Sequence, residues 1–170
     1  MKQTKIIAKI LYTGSRVLAI GYAITTFYAL FCILTGIWTG LPDEKKLHIF
    51  YPFTTEPFLM AENNMLYLIF SFLLPLLLYS MFFWLASNVF RVFREPTLFT
   101  PQNIVHLRRF YRFNLITPAL ATAVGSCFVP VEDFIIALIV VHSFLGVFTY
   151  FLAAIFNQGI GLQNERDLFI

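Results

Sequence analysis

Residues 91–112, RVFREPTLFTPQNIVHLRRFYR, lie near the middle of the 170-residue chain, with two long apolar runs before them and two after. This basic segment holds five of the twelve lysine and arginine residues of the chain. A basic cluster between apolar runs stays on the cytoplasmic side of a membrane. The segment therefore predicts a chain that crosses the bilayer both before it and after it.

The composition is typical of a membrane protein. Hydrophobic residues make up 59% of the chain, charged residues make up 12%, and the mean hydropathy is +0.76. A soluble domain carries about twice that charged fraction, roughly 25%. The net charge is +3, but the basic residues flank apolar runs and form no stripe on a polar domain. We therefore expect the chain to lie in the lipid bilayer and to bind no nucleic acid directly.

The apolar runs predict an all-α integral membrane protein, with one membrane domain over residues 1–170 and four transmembrane helices. A bilayer requires about 20 residues per helix, and we expect spans at about 17–39, 65–90, 113–131 and 134–156. Pro75 predicts a kink in the second span. Thr100 followed by Pro101 predicts the start of the third helix. The short turn at 130–133 makes the last two helices antiparallel neighbours.

The distribution of charge predicts the orientation. Residues 1–16, 91–112 and 157–170 hold four, five and one of the twelve basic residues, and the loops 40–64 and 130–133 hold the other two. By the positive-inside rule, both termini and the basic segment are cytoplasmic. The first apolar run is too long for a signal-peptide core, and no A-x-A-like cleavage site follows it, so we expect it to remain as a helix.

Small residues predict the helix contacts, because lipid gives no hydrophobic force between helices. The third helix has the most, including Ala119 and Ala123 one turn apart, and is expected to be central. The bulky second helix is expected to be the most exposed to lipid. The loop 40–64 has three prolines, so we expect no continuous helix there, and its segment HIFYPF is expected to lie along the outer membrane surface. A stripe in the fourth helix predicts its packing face: His142, Gly146, Thr149 and Ala153.

One polar cluster is predicted inside the membrane. His142 is ionisable, and an ionisable side chain within a span is a functional hypothesis by default. We expect it to point inward and to have a polar neighbour. This contact either belongs to a cluster that lines a ligand pocket or is a purely structural hydrogen bond. Neither Cys32 nor Cys127 has the spacing of a metal or disulfide framework, and we expect no cofactor. The predicted cluster, at similar depth, is Cys32, Ser71, Thr122 and His142.

A second candidate site lies on the predicted cytoplasmic side. Arg108, Arg109 and Arg112 share one region of the third helix, which predicts either a site for an acidic partner or lipid head groups, or a topology anchor alone. The tail 157–170 ends in apolar residues after its acids, so we expect it to fold back toward these arginines. The candidate partner-binding residues of the segment and tail are Asn103, Arg108, Arg109, Arg112, Gln163, Glu165 and Asp167.

Two motifs resemble those of a family of uncharacterised bacterial four-helix membrane proteins. Residues 98–108 follow the pattern L-F-[ST]-x-x-N-x-x-x-L-[RK], and residues 162–170 follow L-Q-x-E-x-D-L-x-I. Arg166 stands where the family often has asparagine. The family has no established activity. The resemblance implies a location in the bacterial cytoplasmic membrane and, since members are often found beside small helix-turn-helix transcription regulators, a partner of that class.

The sequence leaves two hypotheses about function. In the first, the chain is a membrane regulatory or interaction protein whose cytoplasmic platform, 91–112 with 157–170, binds a partner. In the second, it is a small-solute transporter or ligand-binding membrane protein that uses the polar cluster around His142. An enzyme is not expected, because the sequence offers no paired carboxylates, no nucleophile beside a base and no metal-binding set.

Overall fold

The computed structural model of the chain describes residues 2–43 and 45–168, without the side chains of residues 2, 43 and 166–168. The described chain is mostly helical, and a small sheet lies between its first two helices. In order, the elements are α1 Lys2–Thr35, β1 Thr39–Asp43, β2 Lys46–Phe50, β3 Pro57–Glu62, α2 Met65–Val92, α3 Pro101–Gly125 and α4 Asp133–Leu168.

Three helices are long and apolar enough to cross a membrane, over Gln3–Thr35, Met65–Val92 and Asp133–Glu165. The chain is therefore a helical protein of the membrane class. Helix α3 is less apolar because its first half carries three of the five arginines of the basic segment. It also ends at Gly125, where the residue that follows closes a turn, and thus stops short of the expected boundary at residue 131.

The expectation of an all-α chain is wrong for the segment after α1, which forms a three-stranded antiparallel sheet in the order β1-β2-β3. Strand β2 turns Ile49 inward, where it is fully buried against Ala29 and Cys32 of α1. Pro52 lies in the turn between β2 and β3, and Pro57 is the first residue of β3. At these positions the missing proline N–H breaks few ladder bonds, so the prolines that exclude a helix still permit this sheet.

The helices pack in the order α1 on α2, α2 on α3 and α3 on α4. Helix α2 thus has a helix on two sides, and the expectation that it is the most lipid-exposed is wrong. Its aromatic side chains make these contacts: the rings of Tyr79 and Phe83 stack on Tyr22 of α1. On α3 the expected pair Ala119 and Ala123 is exposed, because that helix packs through larger side chains.

The packing face expected for α4 is confirmed. Gly146, Thr149 and Ala153 are buried against α3, and His142 is half-buried. A Cβ atom added to Gly146 would lie 2.7 Å from Cγ of Leu115. The absence of a side chain at Gly146 therefore sets how closely α3 and α4 approach.

The two ends of the helical array differ. At one end, here called the sheet end, lie the strands, the start of α2 and the turn between α3 and α4. At the other, the basic end, α2 ends and α3 begins. Large apolar side chains fill the basic end and hold α2, α3 and α4 together. This core consists of Ala86, Val89, Val92, Ile104, Leu107, Phe110, Ala153 and Phe156.

Helix α2 departs from regular α geometry toward the sheet end. A π-helical turn spans Leu68–Leu73, and the N–H of Leu74 bonds the carbonyl of Ile69, five residues back. The distortion expected at Pro75 takes this form, since proline has no N–H for the preceding turn. Helix α3 also contains a proline, Pro118, which has no N–H to donate to the carbonyl of Asn114.

Candidate functional site

A cavity of about 270 Å³ lies between α2, α3 and α4 on the side of the sheet end. Its walls are mainly apolar. Pro75, Pro118 and the π-turn residues Phe70 and Ser71 belong to these walls, so the π-turn and both prolines face the same space. The polar side chains that line it are Tyr67, Ser71, Tyr79, Thr117, Thr122, Ser126, Glu132 and His142.

The cavity exists because the three helices are held apart above their common core. Near the sheet end, the ring of Phe70 in α2 stacks on Phe128 after α3, with centroids 4.7 Å apart and planes 6° from parallel. This pair spaces α2 from the α3–α4 turn. At the other end of the cavity, Phe82 packs against Phe110, with ring centroids 5.5 Å apart. The space therefore has aromatic contacts at both ends.

His142 lines the end of the cavity that lies away from the sheet end, and its hydrogen-bond partner Asn114 lies behind it. Nδ1 of His142 lies 2.7 Å from Oδ1 of Asn114. The amide of Asn114 is itself oriented, because its Nδ2 donates to the carbonyl of Phe110 at 2.8 Å. Asn114 is 1% exposed, so each polar atom of its side chain has a partner within the protein.

These bonds assign the hydrogen on the imidazole. Since Nδ2 of Asn114 faces a carbonyl, Oδ1 faces His142 and can only accept. Nδ1 of His142 therefore carries the hydrogen and donates it. In neutral imidazole the other nitrogen, Nε2, is then an acceptor. Among the residues that the structure describes, no donor bonds to it, and His142 lines the cavity.

Aromatic rings fix the imidazole on the side of α2. The ring of Phe82 meets it edge to face, with centroids 5.1 Å apart, and the ring of Tyr79 lies 6.3 Å away. Together with Asn114 these rings hold His142 from three sides. The side chain is thus a preorganised polar group at the bottom of an apolar space.

The structure brings together three of the four residues in the predicted polar cluster. Ser71, Thr122 and His142 all line the cavity. Cys32 does not, because it is buried beneath the sheet with Ile49. The inward orientation of His142 is confirmed, but its expected polar partner within the cluster is wrong. Its partner is Asn114, whose signal in the sequence is an amide just inside the predicted third span.

At the basic end, the structure gives Asn103 a structural position. Its side chain is 6% exposed, and Nδ2 donates to the carbonyls of Thr97 and Leu98 at 3.2 and 2.9 Å. The hydroxyl of Thr100 accepts from the Asn103 N–H and caps α3, as expected. Asn103 therefore holds the loop before α3 and presents no group to a partner, contrary to its place among the partner-binding candidates.

The other candidate side chains that the structure describes are exposed and lie on two helices, the arginines on α3 and the tail residues on α4. Arg108, Arg109 and Arg112 lie on the surface of α3. Helix α4 continues through the tail to Leu168, so the expected turn of the tail toward these arginines is wrong over the described residues. Phe99 packs against this helix at Gly159, where an added Cβ would lie 2.6 Å from Cδ1 of that ring.

Along the rest of the tail, Gln163 lines a shallow groove beside Phe99 and Leu162, and Glu165 is exposed. The side chain of Asp167 and the expected apolar contact of Ile170 lie outside the described residues. Within the described part of the chain, the ion pair present joins Nε of Arg91 to a carboxylate oxygen of Glu95 at 3.4 Å.

His106 is the titratable group whose environment stands out at the basic end, outside the three helical stretches able to cross a membrane. Burial lowers the pKa of His106 below its ordinary value. The positive charges of Arg91 and Arg109 lower this pKa further, while Glu95 acts in the opposite direction. At neutral pH the imidazole is therefore uncharged, and the surface charge comes from the arginines.

Comparison of the chain with family models, with curated proteins and with solved structures finds no match. The resemblance of residues 98–108 and 162–170 to the four-helix family therefore stays a prediction. The function is therefore inferred from the cavity and from the basic end.

Proposed function

We propose that the chain is a four-span protein of the bacterial cytoplasmic membrane, with both termini cytoplasmic, that binds a small apolar molecule in the cavity between α2, α3 and α4. One observation carries this proposal: among the apolar walls of the cavity lies the imidazole of His142, which Asn114 behind it holds in a fixed orientation. Ligand sites have this character, with mainly apolar linings and a few placed polar groups.

The size of the cavity limits the ligand. Its volume of about 270 Å³ is close to the lower end, about 300 Å³, of sites for drug-sized molecules. One short apolar chain or a small ring system fits that volume, whereas the two chains of a phospholipid exceed it. The π-helical turn in the wall supports a binding role, since such turns occur often at functional sites.

The test is photolabelling of the protein in lipid nanodiscs with a short alkyl diazirine. We expect the label on the parts of α2, α3 and α4 that line the cavity. Ala121→Phe places a ring in the cavity and should abolish most of this labelling. Ala119→Phe, on the exposed face of the same helix, is the matched control and should retain it. Equal labelling of the two variants would refute the proposed site.

A second proposed function, the binding of a cytoplasmic partner, is favoured by the ordered basic end. Three exposed arginines lie on a helix whose start is fastened by Asn103, and the tail helix packs beside it at Phe99. An acidic surface fits these arginines, and the resemblance suggests a helix-turn-helix regulator. Arg108→Glu with Arg109→Glu should abolish capture of such a regulator from membranes, and Gln102→Glu should not. Unchanged capture would leave the arginines as topology anchors.

A further inference from the structure

We infer that the molecule bound in the cavity is a single-chain amphiphile with a hydrogen-bond donor, of the alcohol or phenol class, whose hydroxyl group donates to Nε2 of His142. This inference rests on the proposed ligand-binding function and specifies its chemistry. It depends on the hydrogen bonds that join the carbonyl of Phe110, Asn114 and Nδ1 of His142, because they leave Nε2 of His142 as an acceptor for a ligand in the cavity.

The first step is the direction of the hydrogen bonds. The carbonyl of Phe110 accepts from Asn114 at 2.8 Å, and Asn114 accepts from Nδ1 of His142 at 2.7 Å. Reversal would place the amide oxygen of Asn114 against the carbonyl of Phe110, with two acceptors facing each other. The imidazole therefore has its hydrogen on Nδ1 and its lone pair on Nε2.

The second step is the charge of the site. The partner of His142 is a neutral amide, and the rings beside it belong to Tyr79 and Phe82. Glu132 also lines the cavity, but it precedes α4 and lies ten residues before His142, which is about 15 Å along a helix. No carboxylate among the described residues is beside the imidazole to favour its protonated form, so the group acts as a neutral acceptor.

The third step excludes other head groups. A carboxylate or phosphate has only acceptors when ionised and would face the lone pair of Nε2. An ammonium group would bring a charge that no carboxylate beside His142 pairs, which is costly. An ester or ether has no donor for Nε2. A neutral hydroxyl group satisfies Nε2 without adding charge, and its apolar part fits between the walls.

The fourth step gives the orientation of the ligand. Its hydroxyl group lies at the deep end, beside His142, and its apolar part extends along α4 toward the sheet end. Toward the sheet end the apolar part lies between the apolar walls, where Tyr67, Ser126 and Glu132 also line the cavity.

The experiment is competition between the alkyl diazirine and a matched pair of ligands, 1-decanol and methyl nonyl ether, on the full chain in nanodiscs. The two are isomers, and the ether lacks the hydroxyl donor. We expect the alcohol to compete about tenfold better than the ether, which is the factor for one hydrogen bond of about 1.4 kcal/mol. In His142→Leu the alcohol and the ether should compete equally.

A second measurement needs no variant that could misfold. In protein with ¹⁵N-labelled histidine, the Nδ1 and Nε2 signals of His142 report its tautomer, and His48 and His106 serve as internal references. We expect hydrogen on Nδ1, and an upfield shift of Nε2 when 1-decanol is added. A hydrogen on Nε2, or equal competition by alcohol and ether, overturns the inference and leaves the cavity as a ligand site. Labelling that is insensitive to Ala121→Phe overturns the proposed function as well.

Discussion

Asn114 is the residue on which the orientation of His142 depends. It joins α3 to α4 through His142, and its own amide group is held by the carbonyl of Phe110. The side chain is almost fully buried, so replacement of either partner leaves a polar group without its bond. The pair should therefore behave as a unit in stability measurements.

A double-mutant cycle tests this coupling. Asn114→Leu and His142→Phe should each lower the free energy of unfolding by about 1–3 kcal/mol, because each leaves a buried polar partner unsatisfied. The double variant should lose less than the sum, by a coupling of about 0.6–1.7 kcal/mol, as for other hydrogen bonds inside membranes. Unfolding in bicelles measures all four proteins. Additive losses would show that the bond contributes nothing.

The sequence predicts His142 as an inward-facing polar residue, because a lone ionisable group in an apolar run has few other positions. It does not predict Asn114 as the partner. The predicted third span ran from 113 to 131, which placed Asn114 at its edge beside the arginines. In the structure α3 ends at Gly125, and Asn114 then lies level with His142. Pairing across antiparallel helices depends on where each helix ends, and sequence predicts helix ends least well.

At the scale of elements, α4 is positioned by glycines at two contacts with α3 and the loop before it. Gly146 meets Leu115, and Gly159 meets Phe99. Gly161, two residues further and on the exposed side, has no atom within 4 Å of an added Cβ. The pair Gly159 and Gly161 thus offers a matched comparison within one turn of helix.

Gly161→Ala should raise the free energy of unfolding by up to about 1 kcal/mol, the gain in helix propensity. Gly159→Ala gains the same propensity, but its methyl group would overlap the ring of Phe99. We therefore expect Gly159→Ala to be no more stable than the wild type and to show faster proteolysis in the loop 93–100. Equal stabilisation by both changes would contradict the close contact between the tail helix and Phe99.

The basic end should respond to pH through His106. Its pKa in the folded protein is lowered by burial and by two arginines, so the unfolded chain binds more protons below about pH 6.5. The contribution of His106 to the free energy of unfolding is fully present above that pH, and it is lost as the pH falls toward the lowered pKa of the folded state. Melting temperatures between pH 7.5 and 5.5 should fall more for the wild type than for His106→Gln. Parallel curves would exclude this contribution.

The elements themselves are predictable to different degrees. Apolar runs and the Thr100–Pro101 signal predict all four helices, because long runs with helix caps have few alternatives. The sequence does not predict the sheet, because residues 40–64 combine prolines with short stretches whose alternation of apolar and polar residues is too weak to indicate strands. Ile49 decides the outcome through burial against α1, which is a tertiary effect.

For the molecule as a whole, the orientation of α3 decides between three and four spans. Its uncharged part, from Phe113 to Gly125, is about 20 Å long at 1.5 Å per residue, which is short for a bilayer. Packing nevertheless places its two ends level with the two ends of α2. Phe128, after α3, stacks on Phe70 near the start of α2, and Ile104 and Leu107 share the core with Val92 at its end. This packing supports the proposal that α3 crosses the membrane beside α2, with long arginine side chains that extend its reach to the interface.

Single cysteines in a background of Cys32→Ala and Cys127→Ser distinguish these topologies. Lys45→Cys and Gln102→Cys should react with a membrane-impermeant maleimide from opposite sides, but this result is common to three and four spans. Glu132→Cys and Gln163→Cys separate the two. With four spans, position 132 reacts from the side of Lys45 and position 163 from the side of Gln102, because α3 and α4 each reverse the chain. With three spans both assignments exchange, because α4 then crosses the bilayer and α3 does not. We expect the four-span pattern, in which positions 45 and 132 react in intact cells and positions 102 and 163 react in inverted vesicles.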